Sequence, residues 1–274
     1  MKEFMARRDE ERDRRFLRDW QIARMSSGLD FGIVDAIPNL TALLYFFRKD
    51  EEVERCFPFS AQALHETWRH CGKIRTVIVT NQDSAPIRRF ADANGNVEIQ
   101  VEESLAPGDI TAMSADCNAK LFRRFSTEYV LIVQDDGFPL RSGLDDFIGR
   151  YDFVGAPYRR RGFLGVAAGV VKKSWPMNGG FSLRSRRFCK AVAEYWNRYY
   201  MGESSVPECA DDIFCTITLP KRFPAFFQEM RWPTSRVAAR FSYEAILPMN
   251  KTVSPIGFHG AASFRELMQG GSVG

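Results

Sequence analysis

The stretch that most constrains the fold is residues 128–138, Glu-Tyr-Val-Leu-Ile-Val-Gln-Asp-Asp-Gly-Phe. Its apolar run, Tyr129 to Val133, is rich in β-branched and aromatic residues and predicts a strand that is buried on both faces. Asp135 and Asp136 follow directly, and ionised carboxylates are costly to bury without a partner. Because ligands of open α/β sheets bind just outside the carboxyl ends of the strands, we expect the chemistry at this tip.

Composition indicates a globular protein and argues against nucleic-acid binding. The 274 residues suffice for one large domain or two small ones, and 45% hydrophobic with 26% charged residues is an ordinary balance. The net charge of +4 suits a protein that handles anionic small molecules but is too small to indicate nucleic-acid binding.

The cysteines and the apolar runs argue against a zinc site and against a transmembrane segment. The six cysteines are scattered without a Cys-x-x-Cys pair, so zinc-site spacing is absent and free thiols in a reducing compartment are expected. No apolar run reaches the length of about 18 residues that a transmembrane helix needs, and no apolar signal core is present. We therefore expect no transmembrane segment and a cytoplasmic location.

The N-terminal residues predict a helix of unusual polarity. Residues 1 to about 25 pair acids with bases at i,i+4 spacing and carry only a thin apolar edge. We expect residues 1–30 to form a charged helical extension that packs loosely on the rest. Peripheral contact with a membrane through this helix is less favoured, because its acidic residues weaken attraction to anionic lipid.

The first half of the chain alternates strand and helix patterns. Strands are predicted at 41–47, 76–79, 97–101 and 129–133, and helices at 109–124 and at 50–70. The helix at 50–70 is expected to break near Pro58 and to restart with Ser60 as its N-cap. The alternation predicts an α/β fold with a mostly parallel sheet and helices on its faces.

The second half is less regular. Its predicted elements are a short strand at 151–157, a loop with a small hairpin at 159–171, a glycine turn at 178–180 that enters a strand, and a helix from Ser185 to about 199. Another helix is expected to start near Asp211. The Gly/Ser-rich end after Phe264 is expected to fray.

Two groups of residues suggest a metal site, although each also has a structural interpretation. Asp135 and Asp136 could hold a hard divalent cation, which prefers oxygen ligands, but Asp-Asp-Gly is also a plain turn. His259 lies between glycines that allow a close approach of the backbone, and it would complete a metal site only if the fold brings it beside Asp136. A single histidine is more often structural.

Other candidates concern acid–base chemistry and nucleotide binding. Glu208, Asp211 and Asp212 could supply a general base, but acidic residues also stabilise a helix N-terminus, which is the favoured local interpretation. Thr80 and Asn81 follow a buried strand and could contact a nucleotide.

A glycine pair and a basic cluster have two interpretations each. Asn178, Gly179 and Gly180 indicate either close approach to a bound group or only a tight turn. The nearby basic residues could counter phosphate, although a solvated face is their usual role; they are Arg159, Arg160, Arg161, Arg184, Arg186 and Arg187. His65 and His70, at i,i+5 on a helix, are expected to be structural.

Taken in order, these motifs resemble a known pattern. They are the Asp-bearing strand tip, Asp-Phe-Val-Gly-Ala-Pro, Asn-Gly-Gly-Phe-Ser-Leu-Arg-Ser, Asp-Asp-Ile-Phe, Phe-Ser-Tyr-Glu and Gly-Phe-His-Gly. Over roughly residues 40–262 the chain resembles a family of uncharacterised domains grouped with nucleotide-sugar glycosyltransferases of the GT-A fold. The resemblance implies one GT-A-like domain at 31–264, with a Rossmann-like nucleotide half and an acceptor half, and a flexible tail at 265–274.

The resemblance also implies a metal site. Gln134-Asp135-Asp136 resembles the Asp-x-Asp motif, which implies Mn²⁺ or Mg²⁺ on Asp136 and places Asp135 nearer the ribose or nucleotide. His259 stands where such enzymes often have a further metal ligand. Gln134 departs from the acidic residue that often begins the motif, and this departure puts metal dependence in question.

The remaining implied roles concern catalysis. Asp212, with Asp211 beside it, matches the position of the catalytic base in inverting members. Asn178, Gly179 and Gly180 resemble the loop that lines the donor sugar and the acceptor. The implied activity is metal-assisted transfer of a sugar from a nucleotide-sugar donor, with UDP-linked donors first in line, to a hydroxyl of a glycan or other acceptor.

Two alternatives stay open. A nucleotidyltransferase that makes sugar nucleotides often carries a glycine-rich, basic phosphate loop after its first strand, whereas Asp50, Glu51 and Glu52 follow here. A non-catalytic domain that binds carbohydrate or nucleotide on the same fold is the other alternative, because fold alone does not decide function.

Overall fold

The computed structural model describes residues 2–27, 34–157, 177–199, 210–244 and 253–270, with the side chains of residues 2–8 and 199 left out. The hairpin expected at 159–171, the arginines 159–161 and Glu208 lie outside these ranges.

The described elements alternate in the first half and become mostly helical in the second. The helices are α1 (Lys2–Ser26), α2 (Asp50–Cys71), α3 (Ala85–Ala93), α4 (Ile110–Arg124), α5 (Arg186–Tyr199), α6 (Asp211–Ile213), α7 (Leu219–Arg222), α8 (Pro224–Glu229), α9 (Ser235–Phe241) and α10 (Ala261–Gln269). The strands are β1 (Leu40–Phe46), β2 (Arg75–Thr80), β3 (Val97–Val101), β4 (Tyr129–Val133), β5 (Phe153–Pro157), β6 (Met177–Ser185), β7 (Ser242–Tyr243) and β8 (Gly257–Phe258). Among the described helices, none has the length and apolar character to cross a membrane.

A six-stranded sheet in the order β3-β2-β1-β4-β6-β5 forms the centre of the fold. β3, β2, β1 and β4 run parallel, whereas β6 pairs antiparallel with both β4 and β5. The predicted mostly parallel sheet flanked by helices is therefore confirmed. Its core lies on both faces, because successive residues of β4 point to opposite sides: Leu131 and Val133 belong to one apolar cluster and Val130 and Ile132 to the other.

Strand order and direction bring the candidate site residues to the carboxyl ends of the parallel strands. The chain runs from β1 outward to β2 and β3 and then returns to add β4 on the other side of β1, which makes the gap between β1 and β4 a topological switch point. Antiparallel β6 starts at the same edge. Its register pairs Ile132 with Ser182, and continuing that register brings Gly180 opposite Gln134.

A second, two-stranded sheet adds residues from the end of the chain. β7 and β8 are parallel, with Ser242 opposite Gly257 and Tyr243 opposite Phe258. The next residue after each strand therefore emerges at the same end, so Glu244 and His259 lie side by side.

Four local predictions were wrong. α2 is continuous through Pro58 to Cys71, so Ser60 is a buried residue within the helix and caps nothing. α3 was not predicted, although a proline at its start and Ser84 before it are N-terminal helix signals. Asn178, Gly179 and Gly180 lie inside β6 and form no turn. α10 continues past Phe264 to Gln269 because Leu267 is buried against the domain.

The N-terminal helix packs firmly, contrary to the loose packing that its polarity predicted. The rings of Trp20 and Phe138 stack with centroids 6.0 Å apart, and Trp20 also meets Phe264 edge-on at 5.1 Å. Arg24 donates two hydrogen bonds to the buried carboxylate of Glu66, at 3.0 and 3.3 Å. The thin apolar edge is thus covered by the protein itself.

Candidate active site

The Asp-bearing tip of β4 is a two-residue turn. Gln134 and Gly137 exchange two backbone hydrogen bonds, at 2.9 and 3.1 Å, so Asp135 and Asp136 project from the edge of the sheet. The backbone N–H of Gly260 donates to the carbonyl oxygen of Asp136 at 2.7 Å. This bond ties the turn to the segment that follows β8.

His259 lies beside this turn, as the resemblance implied. Its Nε2 is 3.0 Å from Oε1 of Gln134 and 3.9 Å from Oδ1 of Asp136, while Nδ1 is 3.6 Å from Oε1 of Glu244. Burial lowers the pKa of His259, but Glu244 and the charges of Asp136 and Asp212 outweigh it and raise the pKa to about 9. At neutral pH the imidazole is therefore protonated among carboxylates, and it would have to release that proton to bind a metal ion.

Glu244 was part of a recognised motif but was not expected in the site. The side-chain amide of Asn178 donates to its Oε1 at 2.9 Å. Its Oε2 and Nδ1 of His259 are buried and have no hydrogen-bond partner within the described ranges. A ring nitrogen that faces a carboxylate is the usual outer contact of a metal-binding histidine, because it orients the ring.

Glycine is required at position 180 by the approach of His259. A Cβ on Gly180 would lie 2.2 Å from Nε2 of His259 and 2.8 Å from Oε1 of Gln134, distances that only the absence of a side chain avoids. The side-chain oxygen of Asn178 accepts a 2.6 Å hydrogen bond from the Gly180 N–H and fixes the backbone there. The absence of a side chain at Gly180 therefore allows β6 to approach His259 closely.

Asp211 is held by a buried arginine. Nη2 of Arg184 lies 2.6 Å from Oδ2 of Asp211, and the arginine is only 2% exposed. Gly179 allows this contact, because a Cβ there would lie 2.6 Å from the same guanidinium nitrogen. The expectation of a solvated Arg184 was wrong: its charge is buried because Asp211 neutralises it.

Asp212 has a different environment from Asp211. Its Oδ1 accepts a 2.7 Å hydrogen bond from the N–H of Ile213 in the first turn of α6. Burial, and then the charge of Asp211, raise the pKa of Asp212 to about 6. A buried carboxylate with a pKa near neutrality is suited to accept a proton, whereas Asp211 is committed to Arg184.

Most of these groups line one cleft of about 530 Å³ at the switch point of the sheet, with Glu244 and Arg184 behind them. Its chemically active lining comprises Gln134, Asp135, Asp136, Asn178, Gly179, Gly180, Asp211, Asp212 and His259. Thr80 and Asn81 are not among the described residues that line it. Thr80 is buried, with its hydroxyl 3.1 Å from the carbonyl oxygen of Gln82, and the Asn81 amide donates to the carbonyl oxygen of Arg48 at 3.2 Å.

Cations from the N-terminal part of the chain also line the cleft. Arg14 and Arg18 of α1 and Arg48 after β1 reach into it. Burial and the charge of Asp136 raise the pKa of Asp135, while Arg48 and Arg18 act in the opposite direction. Sequence patterns did not indicate these arginines, because an exposed arginine on a polar helix or in a loop looks like solvated surface.

The donor set fits a metal ion only in part. Within the described ranges, no group of three or more His, Cys, Asp or Glu side chains forms a ready-made metal site. Oδ1 of Asp136 and Nε2 of His259 face each other, and Oε1 of Gln134 adds a neutral oxygen. Mg²⁺-like ions commonly use one or two protein ligands together with substrate phosphates. The residues therefore fit an ion that shares its coordination with a bound phosphate.

Comparison with known families and structures adds two findings. The profile of a family described as a protein of unknown function (DUF5672) matches residues 110–259. By sequence, no curated protein matches the chain.

Similar folds occur among solved glycosyltransferases. An active-site mutant of LgtC is 14% identical with a TM-score of 0.50, and the match covers 84% of this chain and 95% of that one. The galactosyltransferase LgtC in complex with donor and acceptor sugar analogs is 13% identical with a TM-score of 0.46 and the same coverage. The mannosyltransferase PcManGT from Pyrobaculum calidifontis, in complex with GDP-Man and Mn²⁺, is 15% identical with a TM-score of 0.37; the match covers 58% of this chain and only 49% of that protein. The match to the LgtC mutant, at a TM-score of 0.50, shows that the mixed α/β fold of this chain is of the GT-A type.

Proposed function

This chain belongs to the family of proteins of unknown function DUF5672. For this member we propose a function as a glycosyltransferase that uses a nucleotide-sugar donor. One observation carries the proposal. Asp136, Asp212 and His259 come from three separate segments and line a single cleft at the switch point of a GT-A-type sheet. Neither a plain turn nor a stabilised helix start would require that convergence.

The donor diphosphate is proposed to bind beside Asp136 and His259. These two residues, with Gln134, would hold Mn²⁺ or Mg²⁺, and the ion would supply positive charge against the negative charge that develops on the departing nucleoside diphosphate. Glu244 would orient the His259 ring through Nδ1, from which its Oε1 is 3.6 Å away. UDP-linked sugars are the first donors to test, and GDP-linked sugars the second.

Asp212 is proposed to act as the general base. It would accept the proton of an acceptor hydroxyl as the hydroxyl oxygen attacks the anomeric carbon, with inversion of configuration. Asp211 would keep the start of α6 in place through its ion pair with Arg184. The pKa of Asp212, about 6, leaves its carboxylate ionised at neutral pH while it remains basic enough to receive a proton.

The two alternatives have less support. Only Phe47, Arg48 and Lys49 separate β1 from the acidic first turn of α2, and none of them is a glycine, so no glycine-rich phosphate loop of the nucleotidyltransferase kind follows that strand. A purely binding domain would have no use for the general base that Asp212 is proposed to supply. Fold alone does not exclude such a domain, so the following assay is needed to distinguish it from an enzyme.

The proposal is tested by release of nucleoside diphosphate from a panel of UDP-, GDP- and dTDP-sugars, with and without Mn²⁺, by the wild type and Asp212→Asn. Loss of a general base lowers the rate about 10²- to 10⁴-fold. Nucleotide affinity should be retained, because the substitution removes charge but keeps shape. Asp145→Asn, at an exposed aspartate away from the cleft, is the matched control. Wild-type protein that neither binds nor cleaves any donor would contradict the proposal.

A further inference from the structure

One face of α1 forms a wall of the cleft. Arg14, Leu17, Arg18 and Gln21 follow the three- and four-residue spacing that puts side chains on one side of a helix, and all four line the cleft. The side-chain amide of Gln21 donates to the carbonyl oxygen of Asp135 at 2.9 Å. Because Gln21 is only 1% exposed, this bond anchors the helix directly on the β4 tip.

The wall is fixed in position. Besides Gln21, α1 is held at both ends of the contact by ion pairs: Arg24 with Glu66 at 3.0 Å and Asp13 with Arg265 at 2.9 Å. Leu17 is buried between them. A helix held in this way keeps the backbone of Arg14 and Arg18 in place, so binding costs only the freedom of their side chains.

Two arginines in the cleft have charges that no carboxylate neutralises by direct contact. Arg18 and Arg48 line the cleft, and neither has an ion-pair partner within 4.0 Å in the described part of the chain. The guanidinium carbon of Arg18 lies 5.2 Å from the centre of the Phe59 ring. The backbone of Arg48 is held by hydrogen bonds from the side chains of Asn81 and Gln82, at 3.2 and 3.1 Å.

We propose that Arg18 and Arg48 bind the diphosphate of the nucleotide-sugar donor, beside the metal ion that Asp136 and His259 would hold. This inference rests on the proposed function and names the residues that recognise its donor. Asp135 and Asp136 would repel a diphosphate unless cations neutralise it, and a planar guanidinium makes paired hydrogen bonds to phosphate oxygens. Both arginines lie outside residues 110–259, the segment that matches the family. The N-terminal part of the chain thus supplies donor contacts that the matched segment lacks.

The experiment measures binding to the full chain by titration calorimetry, with UDP, GDP, inorganic pyrophosphate and uridine as probes, in Mn²⁺. Arg18→Gln and Arg48→Gln should each weaken UDP or GDP and pyrophosphate about tenfold, because each removes a charge-assisted hydrogen bond. Uridine, which has no phosphate, should bind all variants alike. Arg15→Gln is the matched control, since Arg15 is exposed on the same helix and does not line this cleft. Unchanged melting temperatures exclude unfolding as the cause.

The outcomes separate the inference from the function on which it rests. Wild-type affinity for diphosphates in both variants overturns the inference and leaves the proposed function standing. The same holds if the variants weaken only the acceptor in a transfer assay, or if Arg15→Gln weakens diphosphate binding as much as they do. If the wild type binds no diphosphate, the proposed function fails and the inference fails with it.

Discussion

Replacing Gly180 by alanine tests whether the close contact between β6 and His259 builds the site. A Cβ at this position would lie 2.2 Å from Nε2 of His259, whereas ordinary contacts begin at 3.4 Å, so the ring must retreat by the difference, about 1.2 Å. Retreat separates the ring from Gln134, now 3.0 Å away, and from Asp136. Overpacking of this kind costs about 1–3 kcal/mol of unfolding free energy.

Urea denaturation of the wild type, Gly180→Ala, His259→Ala and the double variant isolates that contact. We expect Gly180→Ala to lower the unfolding free energy by about 1–3 kcal/mol in the wild-type background. The cost should fall to a few tenths when His259 is also replaced by alanine, because the clash with the ring is then absent and the amide of Gln134, 2.8 Å from the added Cβ, can turn into the freed space. Gly95→Ala is the matched control, since a Cβ there meets nothing within 4 Å. Equal costs in the two backgrounds, or a cost no larger than that of Gly95→Ala, would refute the assignment of Gly180 to this contact.

Three further predictions concern stability and pH. Arg231 and Arg187 lower the pKa of the buried Asp152 to about 2 despite its burial, so Asp152→Asn should cost about 2 kcal/mol at pH 7. Because a lowered pKa stabilises the fold above the unfolded pKa, this difference from wild type should shrink as the pH falls from about 4 to about 2 in urea titrations. The transfer rate should rise with pH through about 6 as Asp212 ionises, and a rate that is flat from pH 5 to 8 would exclude it as the base. Trp20→Ala should cost about 2 kcal/mol or more in the same denaturation assay, because the ring packs on Phe138 and Phe264; a change under about 0.5 kcal/mol would mean that α1 is not docked.

Much of the sheet could be predicted because its strands carry strong local signals. The run at 129–133 is apolar on both faces, and β1 to β4 all lie where the patterns put them. α3 was missed because nine residues offer few repeats of the helical period, although Ser84 and Pro86 mark its start. The break expected at Pro58 did not occur, because packing of α2 on the sheet outweighs the one hydrogen bond that proline removes.

The candidate site was harder to predict because its residues are close together in the folded structure but far apart in the sequence. Motif order indicated Asp136, Asp212 and His259 but not that Glu244 lies beside His259, which follows from the parallel pairing of β7 and β8. Arg184 looked like surface because burial of a charge depends on its partner, and Asp211 is 27 residues away. Periodicity shows which residues share a face of α1, but not that this face covers a cleft.

The central claim is that the cleft binds a nucleoside diphosphate together with a divalent metal ion at Asp136 and His259. The most direct test is electron paramagnetic resonance of Mn²⁺ with the wild type and with Asp136→Ala, in the absence and presence of UDP or GDP. The donor set predicts that Mn²⁺ is bound strongly only when a diphosphate is present, and that Asp136→Ala abolishes this binding. Free Mn²⁺ in the presence of both nucleotides, or binding that Asp136→Ala leaves unchanged, would contradict the account.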